Sequence, residues 1–277
     1  MVYNIVLRLV NEPFYVVVSI GILILTIAYL VLPISTIFYF SAMIYPIVSI
    51  VPFSVYLVFY KSIGLSWDDK LSVLLFFQAI ASLAWALGEI IWCYYYNLLL
   101  RAAVPYPSEA DAFYVTGDLL AIIGQLLYLF YLYKVVGSPL RGRKKYYAYI
   151  VTALLICLAT YALVYPVMYW YGEEGASMVE LVMDSTYLVL EIIMVSIALI
   201  GFLVIRGHLG RVFLIILISN LLYFSYTLGF SYLELMDLYY DGHPIELLDL
   251  FSSLLDACAI YEAYKLIVKS SNLVLSR

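Results

Sequence analysis

The sequence predicts an all-α, polytopic membrane protein: one domain over residues 1–277, with eight transmembrane helices built from repeated helical hairpins and both termini cytoplasmic. Three observations predict it. The chain is 66% hydrophobic and only 12% charged, against roughly 25% charged in ordinary soluble domains, and its mean hydropathy is +1.03. That is more apolar surface than a globular core can bury. Second, the apolar residues fall into runs of bilayer length near 14–33, 38–60, 71–98, 110–135, 146–168, 179–205, 211–233 and 246–268, and about 20 apolar residues suffice to cross the hydrocarbon. Third, an even number of spans leaves both termini on one side, and of the 14 Lys and Arg only Arg101 falls on the other. Basic loops stay inside, so the termini are expected in the cytoplasm of a multi-pass cell-membrane protein.

Taken in order, the first 13 residues carry one Arg and no small-residue cleavage motif, so no segment is expected to be removed. The second run holds Pro46 and Pro52, which predict a bend where neighbouring helices satisfy the freed carbonyls. The segment Gly137 to Lys145, with Arg141, Arg143, Lys144 and Lys145, is the one long basic loop. It reads first as an orientation signal, then as a contact for anionic lipid or a partner. Tyr94 to Tyr96, Tyr165, Tyr169, Tyr171, Tyr239 and Tyr240 form an expected outer aromatic belt. Tyr131, Tyr133, Tyr146, Tyr147 and Tyr149 form its inner counterpart.

The chemistry lies in the acids. Pro105 to Asp118 breaks one helix with prolines, starts the next with Ser108 as cap, and places Asp111 and Asp118 seven residues apart. Seven residues is two turns, so the carboxylates share a face about 10 Å apart along the axis. The device recurs as Asp184 with Glu191 and Asp249 with Asp256. Glu89, followed by Trp92 and Tyr95, matches Asn220, followed by Tyr223 and Tyr226. These matches predict hairpins at about 14–60, 71–135, 146–205 and 211–268 that present equivalent faces.

The upper row, Asp111, Asp184 and Asp249, sits in early helical turns, where a carboxylate caps backbone N–H groups and meets the positive end of the helix dipole. The deeper row, Asp118, Glu191 and Asp256 with Glu89 at similar depth, has no Lys or Arg at mid-span. A charged group there costs at least about 2.5 kcal/mol, so a polar ligand- or cation-binding cavity is expected around Glu89, Asp111, Asp118, Asp184, Glu191, Asn220, Asp249 and Asp256. A purely structural polar core is the plainer reading of the same residues.

Other chemistries find little support. Cys93, Cys157 and Cys258 lie in apolar runs without paired spacing and read as buried small hydrophobes. With two histidines, a three-histidine zinc site is excluded. Asp241, His243 and Glu246 could meet a metal at the surface, but Asp-Gly-His-Pro reads first as a turn. No cofactor and no metal are expected, and no nucleic-acid signature, phosphate loop or Ser/His/Asp set is present. Thirty tyrosines against two glutamines, Gln78 and Gln125, hint at a thermophile.

The pattern Trp85-x2-Gly88-Glu89-x2-Trp92-x2-Tyr95, then Pro105-Tyr106-Pro107-Ser108-x-Ala110-Asp111-x-Phe113-Tyr114-x2-Gly117, then Gly124, resembles a membrane sensor module found at the amino end of some bacterial and archaeal histidine kinases and diguanylate cyclases. Asn220 to Asp256 looks like that module's second acidic hairpin. Asp118 stands where an aromatic residue is expected, adding charge to the cavity, and the sequence up to Arg277 holds no kinase or cyclase domain, so none is expected. The resemblance implies a stand-alone sensory module. Its outward-facing cavity would hold a cationic, polar or lipid-derived ligand, and it would signal to a separate cytoplasmic partner. Gly117-Asp118-Leu119-Leu120 with Gly124-Gln125-Leu126-Leu127-Tyr128 is also similar to lysoplasmalogenase-type membrane hydrolases, which implies Asp118 and Glu89 as acid and base. The unpaired acids alone suit a proton- or cation-coupled transporter or channel.

Overall fold

The computed structural model describes residues 13–63, 67–100, 107–136, scattered positions between 146 and 161, 178–205, 207–235 and 238–275. All regular structure among them is helical. The helices are α1 (Pro13–Val31), α2 (Ile34–Ser49), α3 (Val51–Ile63), α4 (Lys70–Glu89), α5 (Glu109–Val136), α6 (Met178–Val204), α7 (His208–Leu235) and α8 (Glu246–Leu275). Six stretches among the described residues are long and apolar enough to cross a membrane, and α2 with α3 form one of them. Helix α8, where the eighth run is expected, is long enough but carries acids and bases along its length, so it falls outside those six. Of the fifth expected run, 146–168, only residues 146, 150, 151, 153, 154, 157, 160 and 161 are described, and the Arg141 to Lys145 loop and Arg101 lie outside the described residues.

The expected single helix over 38–60 is instead two, joined at Ile50. Pro46 and Pro52 remove two backbone donors and their rings crowd the carbonyls one turn earlier. The Ser49 carbonyl is met from outside the helix by the Ser82 hydroxyl of α4 at 2.6 Å, and the Ile50 carbonyl by the Ser54 amide at 3.0 Å. Helix α4 starts on Asp69, whose side chain accepts from the Leu71 amide at 3.0 Å. Past Glu89 it widens into a π-helical segment, Ile90–Leu100, an uncommon form that often marks functional positions.

Packing closes these helices into a ring. Helix α4 packs on α5, α5 on α6, α6 on α7, α7 on α8, and α8 on α3 and α2, which return to α4. Two buried contacts set the closeness of α4 and α5. Trp85 lies over Gly117 and Tyr114 over Gly88, where an added Cβ would stand 2.5 Å from Trp85 Nε1 and 2.6 Å from Tyr114 Cε1. Helix α1 lies outside the ring against α8. Its Tyr29 hydroxyl donates to Glu246 at 2.7 Å and its Tyr15 hydroxyl to Glu262 at 2.6 Å.

The ring interior is layered. At the end where α5 and α8 begin it is aromatic and acidic. Deeper, Ala81, Ala121, Ile122, Leu190, Met194 and Ile197 form an apolar layer, and towards the end bearing Lys70, Lys134 and Arg211 it closes on Leu74, Tyr128 and Phe213. Of the expected belt tyrosines that are described, Tyr94, Tyr95, Tyr131, Tyr146 and Tyr240 are exposed, whereas Tyr239 turns inward to Glu246.

Candidate functional site

The ends of α2, α4, α5, α7 and α8 surround a cavity enclosing about 910 Å³ of empty space, its open mouth included. Five carboxylates line it, Glu89, Asp111, Asp241, Glu246 and Asp249, together with six tyrosines, Trp92 and Phe230. Among the described residues, neither Lys, Arg nor His lines it. One wall is a ladder along α7: the Tyr223 and Tyr226 rings stack with centroids 6.4 Å apart, Tyr226 and Phe230 follow at 5.9 Å, and Phe230 meets Tyr239 edge-on at 4.6 Å. The spacing of three then four residues puts these rings on one helical face.

The carboxylates differ in what already satisfies them. Asp111 closes a capping box with Ser108: it accepts the Ser108 amide at 2.6 Å and hydroxyl at 3.1 Å, while Ser108 Oγ accepts the Ala110 amide at 3.2 Å. Its other oxygen accepts the Tyr187 hydroxyl of α6 at 2.6 Å. Glu89, at the α-to-π junction, accepts the Cys93 thiol at 3.3 Å and faces the Tyr114 hydroxyl. Asp249 accepts no hydrogen bond from a described residue and is neighbour to Glu89 and Glu246.

Glu246 is the most heavily bonded acid. It accepts Tyr29 at 2.7 Å and Ser41 at 2.6 Å on one oxygen, and Tyr239 at 2.8 Å and the Gly242 amide at 2.7 Å on the other. Placing it at the surface beside Asp241 and His243 is therefore corrected, since it is buried. The expected turn at Asp241 to Pro244 forms, with Gly242 at φ +90°, a conformation open to glycine at little cost. That turn swings Glu246 inward and aims the Gly242 amide at it. Burial first, then Tyr226, Glu246 and Asp241, push the Tyr239 phenol well above its ordinary range. Partial burial lowers His243, whose Nδ1 accepts the Ile245 amide at 3.1 Å.

The deeper acids lie in the ring interior without lining the cavity. Asp118 and Glu191 are 0% exposed and Asp256 is 3% exposed. Trp85 Nε1 donates to Asp118 Oδ1 at 3.0 Å, an approach that the bare Gly117 permits. Thr227 donates to Glu191 Oε1. Gln78 and Ser219 lie beside Asp256. Asn220, also predicted, is buried on α7 with its Nδ2 unpartnered. The Asp184 side chain lies outside the described residues, although its backbone belongs to α6. Thus Glu89, Asp111 and Asp249 meet at the cavity, and Asp118, Glu191, Asn220 and Asp256 sit in the interior.

Sequence reasoning missed Glu246 and the two glutamines as site residues. Gln125 is seven residues beyond Asp118 and Gln78 seven before Trp85, so the two-turn spacing that singles out the acids also marks them. Compared with protein-family models, curated proteins and solved structures, the chain matches none.

Proposed function

We propose that the protein is an eight-span membrane sensor with cytoplasmic termini, whose cavity binds a cationic ammonium group and passes the bound state along α5, α6 and α8 to a separate cytoplasmic partner. The observation that carries this reading is the cavity lining: among the described residues, five carboxylates and eight aromatic rings, six of them tyrosine, with no basic side chain. Aromatic faces attract ammonium ions by about 0.5–2 kcal/mol each, and carboxylates supply the counter-charge. Asp111 and Glu246 already hold several donors and Asp241 sits in the turn at the rim, so Asp249 and Glu89, on facing helices, are the acids placed to meet a ligand inside the cavity. The apolar layers beneath favour a closed receptor over an open pathway.

Trp92 lines the cavity and serves as reporter. Tetramethylammonium or spermidine should quench its fluorescence and raise thermal stability, acetate should do neither, and Asp249→Asn should weaken the effect about tenfold or more. Vesicles with and without phosphatidylethanolamine separate a lipid headgroup from a soluble amine. No response to any of these probes would refute the reading. Proton or cation flux in liposomes that Asp118→Asn, Glu191→Gln or Asp256→Asn abolishes would replace sensing with transport. The orientation is checked by cysteine labelling: modification from outside at Ser138 or Ser270, or from inside at Ser177, contradicts it.

A further inference from the structure

Every buried charged side chain among the described residues is acidic. At the cavity, hydroxyls and backbone amides meet these acids. Below it each acid is met on one oxygen only, Asp118 by Trp85 and Glu191 by Thr227. Asp118 Oδ2, Glu191 Oε2 and Asp256 Oδ1 have no hydrogen-bond partner, although their residues are 0%, 0% and 3% exposed. The same interior holds both amide atoms of Gln78 and of Gln125, and Asn220 Nδ2, likewise unpartnered. A buried polar atom without a protein partner is rare, and here acids, glutamine amides and Asn220 gather in one ring interior.

The groups are connected. Trp85, which donates to Asp118, lies 5.9 Å ring to ring from Tyr223 at the cavity floor, and Thr227, four residues on from Tyr223, donates to Glu191. Asp256 borders Gln78, and Asp249 borders Asp118 and Asp256 from above. Along α5, Asp111, Asp118 and Gln125 fall on one stripe at seven-residue spacing, and all three are buried. Water alone would satisfy the amides, but an unpaired buried carboxylate costs several kcal/mol and has to be neutralised, by a proton or by a cation. A cation supplies both the missing ligand for the oxygens and the missing charge.

We propose a second site inside the bundle, beneath the cavity, in which Asp118 and Glu191 bind a Na⁺ ion, with water linking it to the glutamine amides. An all-oxygen donor set suits a hard cation. No trio of His, Cys, Asp or Glu converges among the described residues, so no more than two acids meet one ion, which suits a monovalent ion. Na⁺ is the smaller of the two common monovalent ions and fits more readily among side chains that are 0–3% exposed. This site is independent of what the cavity holds.

The test is ²²Na⁺ binding to the full-length, detergent-purified protein by equilibrium dialysis in a constant K⁺ background. Saturable binding is expected. Asp118→Asn and Glu191→Gln should each weaken it about tenfold or more, whereas Asp68→Asn, on an exposed connection, should not change it. Asn at 118 keeps an oxygen for Trp85, so the fold has a means of surviving the change, which size-exclusion chromatography checks. Trp92→Ala, which also removes the fluorescence reporter, should lose the ammonium-dependent rise in thermal stability and keep Na⁺, which separates failure of the cavity reading from failure of this one. Wild-type protein that binds no Na⁺ above the K⁺ background would overturn the proposal, whatever the variants do. Binding left unchanged in both acidic variants would overturn it equally.

Discussion

Replacing Glu246 by alanine removes one carboxylate and strands four donors. Tyr29, Ser41, Tyr239 and the Gly242 amide all end on it at 2.6–2.8 Å. A net contribution of about 1 kcal/mol per bond, the middle of the range for neutral pairs and below that for charged acceptors, makes roughly 4 kcal/mol a floor for the loss. For a chain of this size about 1 kcal/mol moves Tm by 2–4 °C, so Glu246→Ala should melt about 8–16 °C lower. Glu246→Gln separates charge from connectivity. The Gly242 amide is fixed by its backbone, so the glutamine oxygen must face it, and the NH₂ then faces Tyr29 and Ser41, whose hydroxyls can rotate to accept. All four contacts survive without the charge, and the expected loss is only about 1–2 kcal/mol. Tyr29→Phe, which removes a single bond, should cost about 1 kcal/mol. Thermal unfolding of the three purified variants in one detergent is the assay. If Glu246→Ala cost no more than Tyr29→Phe, or if the glutamine variant fell as far as the alanine one, Glu246 would not be the tie between α1, α2, the 238–245 turn and α8.

Gly117→Ala sets a Cβ 2.5 Å from Trp85 Nε1, which the rigid indole cannot yield without leaving Asp118. About 1–3 kcal/mol should be lost, whereas Gly21→Ala, with nothing within 4 Å, should hold or raise Tm. Equal effects of the two would refute the packing argument. His243 has a lowered folded-state pKa, so between that value and about 6.5 the unfolded chain binds more protons. Its contribution is therefore present above pH 6.5 and lost as pH falls through that window. Melting curves from pH 7.5 to 5.5 should show a steeper decline for wild type than for His243→Gln, and parallel curves would contradict the assignment.

The helices were legible because each apolar run is long and its breaks carry their own chemistry, such as Ser108 before Glu109 or the prolines around Ile50. The Asp111/Asp118 spacing was legible because a helix turns a separation of seven into a shared face. Partners from other helices were not. Tyr29 and Ser41 reach Glu246 across 217 and 205 residues of sequence, and no local pattern records that distance. Glu246 therefore reads as a loop acid near a turn. The break between α2 and α3 was legible only as a bend, since two prolines six residues apart fit either a kinked helix or two helices, and the choice falls to Ser82 on a neighbour. Gln78 and Gln125 read as bare composition until the ring closes around them. The π segment after Glu89 has no signature in a run of Ile, Trp, Cys and Tyr.

Helix α1 is fastened to α8 at two points near opposite ends, Tyr29 to Glu246 and Tyr15 to Glu262. The two tyrosines are 14 residues apart and the two acids 16, or about 21 and 24 Å of helix. Such a pair behaves like a ruler laid against a scale. If α8 slides by one residue, about 1.5 Å, both hydroxyl-to-carboxylate contacts lose their geometry together, and a roll of α8 about its axis swings both acids away at once. Small displacements of α8 are thus resisted at both ends, and a larger one must release both fastenings. Motion between these two helices is therefore stepwise rather than graded, and a lipid-facing helix with little buried surface of its own sets the threshold at which α8 can move.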